Sequence, residues 1–210
     1  MSHYDDEDQA QRVKQWWKEN WIALAAGLVL GLGGIVGWDQ YKAHQQTRGA
    51  EAARMFEDLK TALLTDKADE ANAIADKLKT EFAGTPYAAQ ALLRVAQHAV
   101  EKGRFDEALP PLAWVASNSE DKVLKPLAQL RQARVLSQQG KFDEAIKLLD
   151  GNADDSYSAL VQELRGDILL AQGNRKGARE SFQKALTTSD AAAANRETLQ
   201  RKIDDLADAA

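Results

Sequence analysis

Three stretches decide the fold: GRFDEALPPL at residues 103–112, GKFDEAIKLL at 140–149 and GNRKGARESF at 173–182. Each opens with a glycine, and Gly103, Gly140 and Gly173 stand 37 and 33 residues apart. Around them the same residue types return at fixed offsets. Seven positions before each glycine comes a small residue, Ala96, Ala133 or Gly166, and five after comes another, Ala108, Ala145 or Ala178. Leu112, Leu149 and Phe182 follow as a further core-facing layer. A glycine between two helical patterns turns the chain through a left-handed conformation, and small residues on facing helices let the axes approach. The spacing therefore predicts a row of helical hairpins. Phe105 and Phe142 fill an aromatic position after the turn, from which Arg175 departs in the third stretch.

The spacings bracket the 34-residue period of tetratricopeptide units. Working outward, residues 50–82 read as an earlier, degraded unit, with Lys67-Ala68-Asp69-Glu70-Ala71 as its turn and Ala75 and Leu78 as packing residues. The link Ala83-Gly84-Thr85-Pro86-Tyr87 stops one helix and starts the next. At the other end Leu199, Ile203 and Leu206 recur at helical spacing beside charged neighbours, as expected of an amphipathic helix closing a stack. No stretch alternates β-branched with polar residues. The expected fold is all-α: a single N-terminal transmembrane helix, then a tetratricopeptide-like solenoid with a capping helix.

The transmembrane expectation rests on WIALAAGLVLGLGGIVGW, residues 21–38. From Asn20 through Trp38 no charge interrupts nineteen residues, a helix length that nearly crosses a hydrocarbon core of about 30 Å. Trp16, Trp17 and Trp21 lie at one end and Trp38 and Tyr41 at the other, where amphipathic rings favour the headgroup level. The acidic run Asp5-Asp6-Glu7-Asp8 and the absence of a small-residue cleavage site argue against a cleaved export signal. That run reads as a solvated, disordered leader, and residues 11–20 as an interfacial helix whose Lys14 and Lys18 meet lipid phosphates. Arg12, Lys14 and Lys18 before the span balance Lys42, Arg48 and Arg54 after it, so charge leaves the topology open. Within the span Ala23, Gly27, Gly31 and Gly34 share one helical face, beside a Gly33/Gly37 pair, and this face permits close approach of a second membrane helix.

The formal net charge of -5 and pI near 5.3 argue against a nucleic-acid partner. With no cysteine, disulfides, thiolate metal sites and thiol catalysis are excluded. His3, His44 and His98 are scattered along the chain without a ligand cluster, and the pairs Asp106-Glu107 and Asp143-Glu144 recur with the turn, as helix-start charges do. No nucleophile elbow, phosphate loop or zinc-protease helix is present, so neither an enzyme nor a cofactor is expected.

Taken in order, the acidic tail, the basic Trp-containing stretch, the Gly-rich apolar run ending in GW, the link GTPYAAQALLRVAQ (84–97), the divergent repeats and the final LQRKIDDL (199–206) resemble the YfgM-like family over essentially the full length. These are ancillary subunits of the bacterial Sec translocon. The resemblance implies a single-pass inner-membrane protein with residues 1–20 cytoplasmic, 21–38 in the bilayer, a linker at 39–49 and a periplasmic repeat domain at 50–210. It further implies partnership with the SecYEG channel and with a membrane-anchored periplasmic chaperone of the prolyl-isomerase-like type. Nascent secretory chains enter as further partners.

A repeat stack offers a concave surface built mainly from the first helix of each unit. Counting back from the turn glycines, the groove-facing set is Gln90, Leu93, Gln97 and Val100, then Leu127, Leu130, Arg134 and Ser137, then Leu160, Glu163, Asp167 and Leu170. A register shifted by one makes Leu93, Leu130 and Leu160 core residues instead. This mixed surface suits an amphipathic helix or an extended apolar peptide. Two functions fit: a tethered protein-binding module at the translocon exit, or a scaffold for another envelope assembly such as cell-wall or outer-membrane biogenesis.

Overall fold

The computed structural model describes residues 3–151, 157–190 and 194–207; the side chains of residues 3–11, 13, 23, 24, 29 and 207 lie outside what is described. Among the described residues the regular structure is helical: α1 His3–Leu64, α2 Ala68–Glu81, α3 Pro86–Glu101, α4 Phe105–Asn118, α5 Leu124–Gln138, α6 Phe142–Asp150, α7 Ser158–Ala171, α8 Arg175–Thr188 and α9 Arg196–Ala207. The chain divides into two compact units, Met1–Glu51 and Ala52–Ala210.

In the first unit α1 begins at His3, so helical backbone replaces the irregular leader expected from the acidic run. Carboxylates near a helix N-terminus face the positive end of its dipole, which favours this outcome. Residues 39–49, expected as a linker, are helical too, in keeping with a stretch that holds Gln40, Gln45 and Gln46 and is free of proline. No single described helical segment is both long and apolar enough to cross a membrane. Two segments, Lys14–Ile22 and Ala25–Leu64, meet that test together, with a 48° bend between them. Around the apolar run the side chains find no cover: Ile22, Leu28, Leu30, Leu32, Ile35 and Trp38 are each more than half exposed.

The second part, Ala52–Ala210, is the row of hairpins, and each hairpin counts below as one unit of the array, the first being the C-terminal part of α1 with α2. The C-terminal part of α1 shares one apolar cluster with α2 and α3, α3 pairs with α4, α5 with α6 and α7 with α8, and α9 closes on α8. Helices α3 and α5, and α5 and α7, also touch, so among the described residues the main contacts between units join neighbours. The core is accordingly a chain of three apolar clusters.

Gly103, Gly140 and Gly173 hold φ of 72°, 74° and 80°. After each, the next amide donates five residues back, Arg104 to Ala99, Lys141 to Leu136 and Asn174 to Leu169, at 2.8 to 2.9 Å. This closure satisfies the last helical carbonyls. The first unit makes the same closure without glycine: Asp66, with φ 59°, takes the left-handed position, and Lys67 donates to Ala62 at 2.9 Å. The departure at Arg175 leaves the third turn intact, because Asn174 caps α8 by accepting from the Gly177 amide at 3.0 Å.

Behind each turn, Ala71, Ala108, Ala145 and Ala178 are fully buried. The positions seven before and nine after the turn residue trade bulk between helices: Leu59 with Ala75, Ala96 with Leu112, Ala133 with Leu149, Gly166 with Phe182, all buried. The last pair leaves no spare volume. A Cβ on Gly166 would stand 2.9 Å from Phe182 Cζ and closer still to two other ring carbons.

Polar links set the register between units. Gln139 Nε2 donates to Asp106 Oδ1 at 2.8 Å and Gln172 Nε2 to Asp143 Oδ1 at 3.3 Å, each joining the start of one second helix to the turn of the next unit. The recurring carboxylates therefore tie neighbouring turns together as well as starting helices. Such exposed bonds contribute about 1 kcal/mol each, against about 1.5–3 kcal/mol for one buried Leu or Phe, so apolar burial holds the stack.

Candidate functional site

The first helix of each unit presents its positions three and six residues before the turn along one side of the array. Leu63 and Lys60 stand there in the first unit, Val100 and Gln97 in the second, Ser137 and Arg134 in the third, Leu170 and Asp167 in the fourth. Between the second and third units this side opens into a cavity of about 550 Å³. Its apolar wall is Val100 and Phe105 over the buried Leu112 and Val135, and its polar lining is Gln97, Glu101, Arg131, Arg134 and Gln138. Past Gln97 and Glu101 a second cavity of about 290 Å³ continues toward Lys60, Leu63 and Arg94. The two adjoin at Gln97 and Glu101 of α3 and together are the furrow of this side.

Of the groove set drawn from sequence, Gln97, Val100 and Arg134 line the larger cavity, and Gln90 is exposed one turn and more before them. Leu93 and Leu130 do not face it: with 7% and 3% exposure they are core side chains, because ten residues before the turn the helix has rotated toward its hairpin partner. Leu127 and Ser137 are half-buried, and Leu160 and Leu170 are exposed, outside the cavity lining. Glu163 and Asp167 are engaged by the capping helix. Lys202 of α9 reaches them at 3.3 and 2.7 Å, lies 5.0 Å from the Phe182 ring centroid, and Asn195 donates to Glu163 at 2.9 Å. Phe105, expected as the aromatic of the turn, lines the site too, and three residues outside the expected groove set belong to it, Arg131, Glu101 and Gln138. The first and last lie at i and i+7 around Arg134 on α5, a periodicity that marks them as neighbours on the same face.

At the edge of the smaller cavity Asp66 receives Lys102 Nζ at 2.7 Å, and His98 Nε2 lies 3.3 Å away. The hydrogen bond and charge of Lys102 hold the Asp66 carboxyl below the usual carboxylate range. This cluster joins the first two units much as the Asp–Gln links join the others. Among the described residues no group of His, Asp and Glu has an arrangement that could hold a metal ion. Of the transmembrane contact face, Gly27, Gly31 and Gly34 have open space where a Cβ would stand, while the side chain of Ala23 lies outside the described part.

Paired helices closed by left-handed turns, stacked in register and lined on one side by a furrow, define a tetratricopeptide-like protein-interaction scaffold. A family model described as a tetratricopeptide repeat-like domain matches residues 14–208. The ancillary SecYEG translocon subunit of Escherichia coli is 35% identical over 207 residues, covering 98% of this chain and 99% of that protein. Its counterparts are 32% identical over 182 residues in Haemophilus influenzae, covering 86% of this chain and 88% of the relative, and 31% over 206 in Neisseria gonorrhoeae, covering 98% and 99%. The chain belongs to the tetratricopeptide repeat-like family and, within it, to the YfgM-like ancillary SecYEG translocon subunits.

Proposed function

We propose that this protein is a non-enzymatic binding module tethered to the bacterial inner membrane beside the SecYEG channel, with its repeat domain in the periplasm. Family membership over nearly the whole chain supports the channel as partner. The observation that carries the tether is the uncovered apolar run. A helical stretch whose large side chains are exposed all round is not what a water-facing surface sustains, and a bilayer is the solvent that suits it. Residues 21–38 are then the span, 1–20 the cytoplasmic side with lipid-facing Lys14 and Lys18, and the furrow lies where emerging secretory chains or a membrane-anchored, prolyl-isomerase-like chaperone pass. Tethering raises the effective concentration of such partners, so shallow contacts suffice for useful occupancy.

Photoreactive groups placed at Gly27, on the span, and at Gln138, in the furrow, test both halves in intact membranes. The expected outcome is crosslinking to a channel subunit from Gly27 and to a secretory chain or folding factor from Gln138. Recovery of only cell-wall or outer-membrane assembly proteins would replace this reading with the scaffold one.

A further inference from the structure

The inner-face charges of the four units are not equivalent. Nine and six residues before the turn stand Glu57 and Lys60 in the first unit, joined to each other at 2.8 Å. In the second unit Arg94 donates to Gln97 at 3.3 Å, and Gln97 in turn donates to Glu101 at 2.8 Å. In the fourth, Leu164 is buried and Asp167 is neutralised by Lys202. The third unit differs. It carries Arg131 and Arg134, both exposed, both lining the 550 Å³ cavity, and neither with an ion pair or hydrogen bond among the described residues.

Taken together, the described lining of the furrow holds the cations Arg94, Arg131 and Arg134, and Lys60 whose charge Glu57 balances, against one carboxylate, Glu101, although the whole chain carries a net charge of -5. A guanidinium presents donors in a planar fork that matches a carboxylate, and two of them one turn apart beside an apolar wall make a composite site. Because the two cavities adjoin across Gln97 and Glu101, a chain that crosses there need not end in either. We propose that the furrow between the second and third units binds an extended, internal segment of a partner protein in which acidic and apolar residues alternate. Its carboxylates meet Arg131 and Arg134, and its apolar side chains rest on Val100 and Phe105. Alternation matters because side chains two apart on an extended chain point the same way, one set to the arginines and the other to the wall.

This inference rests on the protein-binding reading above and is tested separately from it. The full-length protein in detergent or nanodiscs is titrated with three labelled, end-capped peptides of alternating pattern, Leu with Glu, Leu with Gln and Leu with Lys, read by fluorescence anisotropy. The Leu/Glu peptide is expected to bind at least about tenfold tighter than the Leu/Gln one, and R131Q/R134Q to remove about that factor. R131E/R134E is expected to reverse the preference toward the Leu/Lys peptide; a reversal reports on the site itself, whereas unfolding would weaken all three. Equal binding of the Glu and Gln peptides, or a preference that survives both double variants, overturns the proposal. An uncapped Leu/Glu peptide run alongside is expected to bind as the capped one does, and binding by the uncapped form alone also overturns the proposal. If the peptides fail while Gly27 still crosslinks to the channel, the site is wrong and the tethered function stands.

Discussion

The first and fourth units solve the same two problems in opposite ways. At the packing position the first brings bulk from its first helix, Leu59 against Ala75, while the fourth brings it from its second, Phe182 against Gly166. At the turn the fourth uses glycine, which enters the left-handed region without steric cost, and the first uses Asp66, which does not. What the fold requires is therefore a filled volume and a left-handed turn, not a particular residue at either place. Which helix supplies the bulk is free, provided the sum is kept.

The largest break in this equivalence is at the ring. Phe182→Ala empties a fully buried site against which Gly166 has no side chain to offer, and is expected to cost about 3–5 kcal/mol, measured by denaturant or thermal unfolding of the full chain. Next comes overfilling. Gly166→Ala drives a methyl into the ring and is expected to cost about 1–3 kcal/mol. The sharper form of the comparison is the double variant G166A/F182L, which recreates the Ala133/Leu149 pair of the third unit. It is expected to be more stable than either single variant; a double variant as unstable as the sum would show that the two positions do not trade volume.

The smallest effect is at the turn and depends on pH. The folded-state carboxyl of Asp66 titrates below its ordinary range, so its stabilising contribution is complete above the unfolded value of about 4 and is lost as pH falls through the lower folded value. Below that, the residue keeps its left-handed strain but loses the attraction of Lys102. Asp66→Gly should accordingly raise the melting temperature more at pH 3 than at pH 7. The same difference at both values would mean that the Lys102 contact contributes nothing.

The comparison also explains what could be read in the sequence. Repeats built on glycine announce themselves, because few residues tolerate that backbone and the same letter recurs at 103, 140 and 173. The first unit was found only through its KADEA stretch, since Asp66 looks like any surface aspartate until its φ is known. Boundary and facing errors had a different cause. Counting residues from a turn gives the face only to within about half a turn, enough to bring Gln97 and Arg134 to the furrow while Leu93 and Leu130 turn into the core. Nor does spacing reveal neutralisation across units: nothing local to Glu163 or Asp167 announces Lys202, more than thirty residues away. The unpaired state of Arg131 and Arg134 was hidden for the same reason.

The capping helix sets how such an array changes length. Helix α9 meets α8 as α5 meets α4, buries Leu199, Ile203 and Leu206 inward, and turns Gln200, Arg201 and Asp204 outward. A further hairpin joined after it would find a polar surface with nothing to pack on. One duplicated between the second and third units would find apolar neighbours on both sides. The array can therefore lengthen from its middle while its end stays the same.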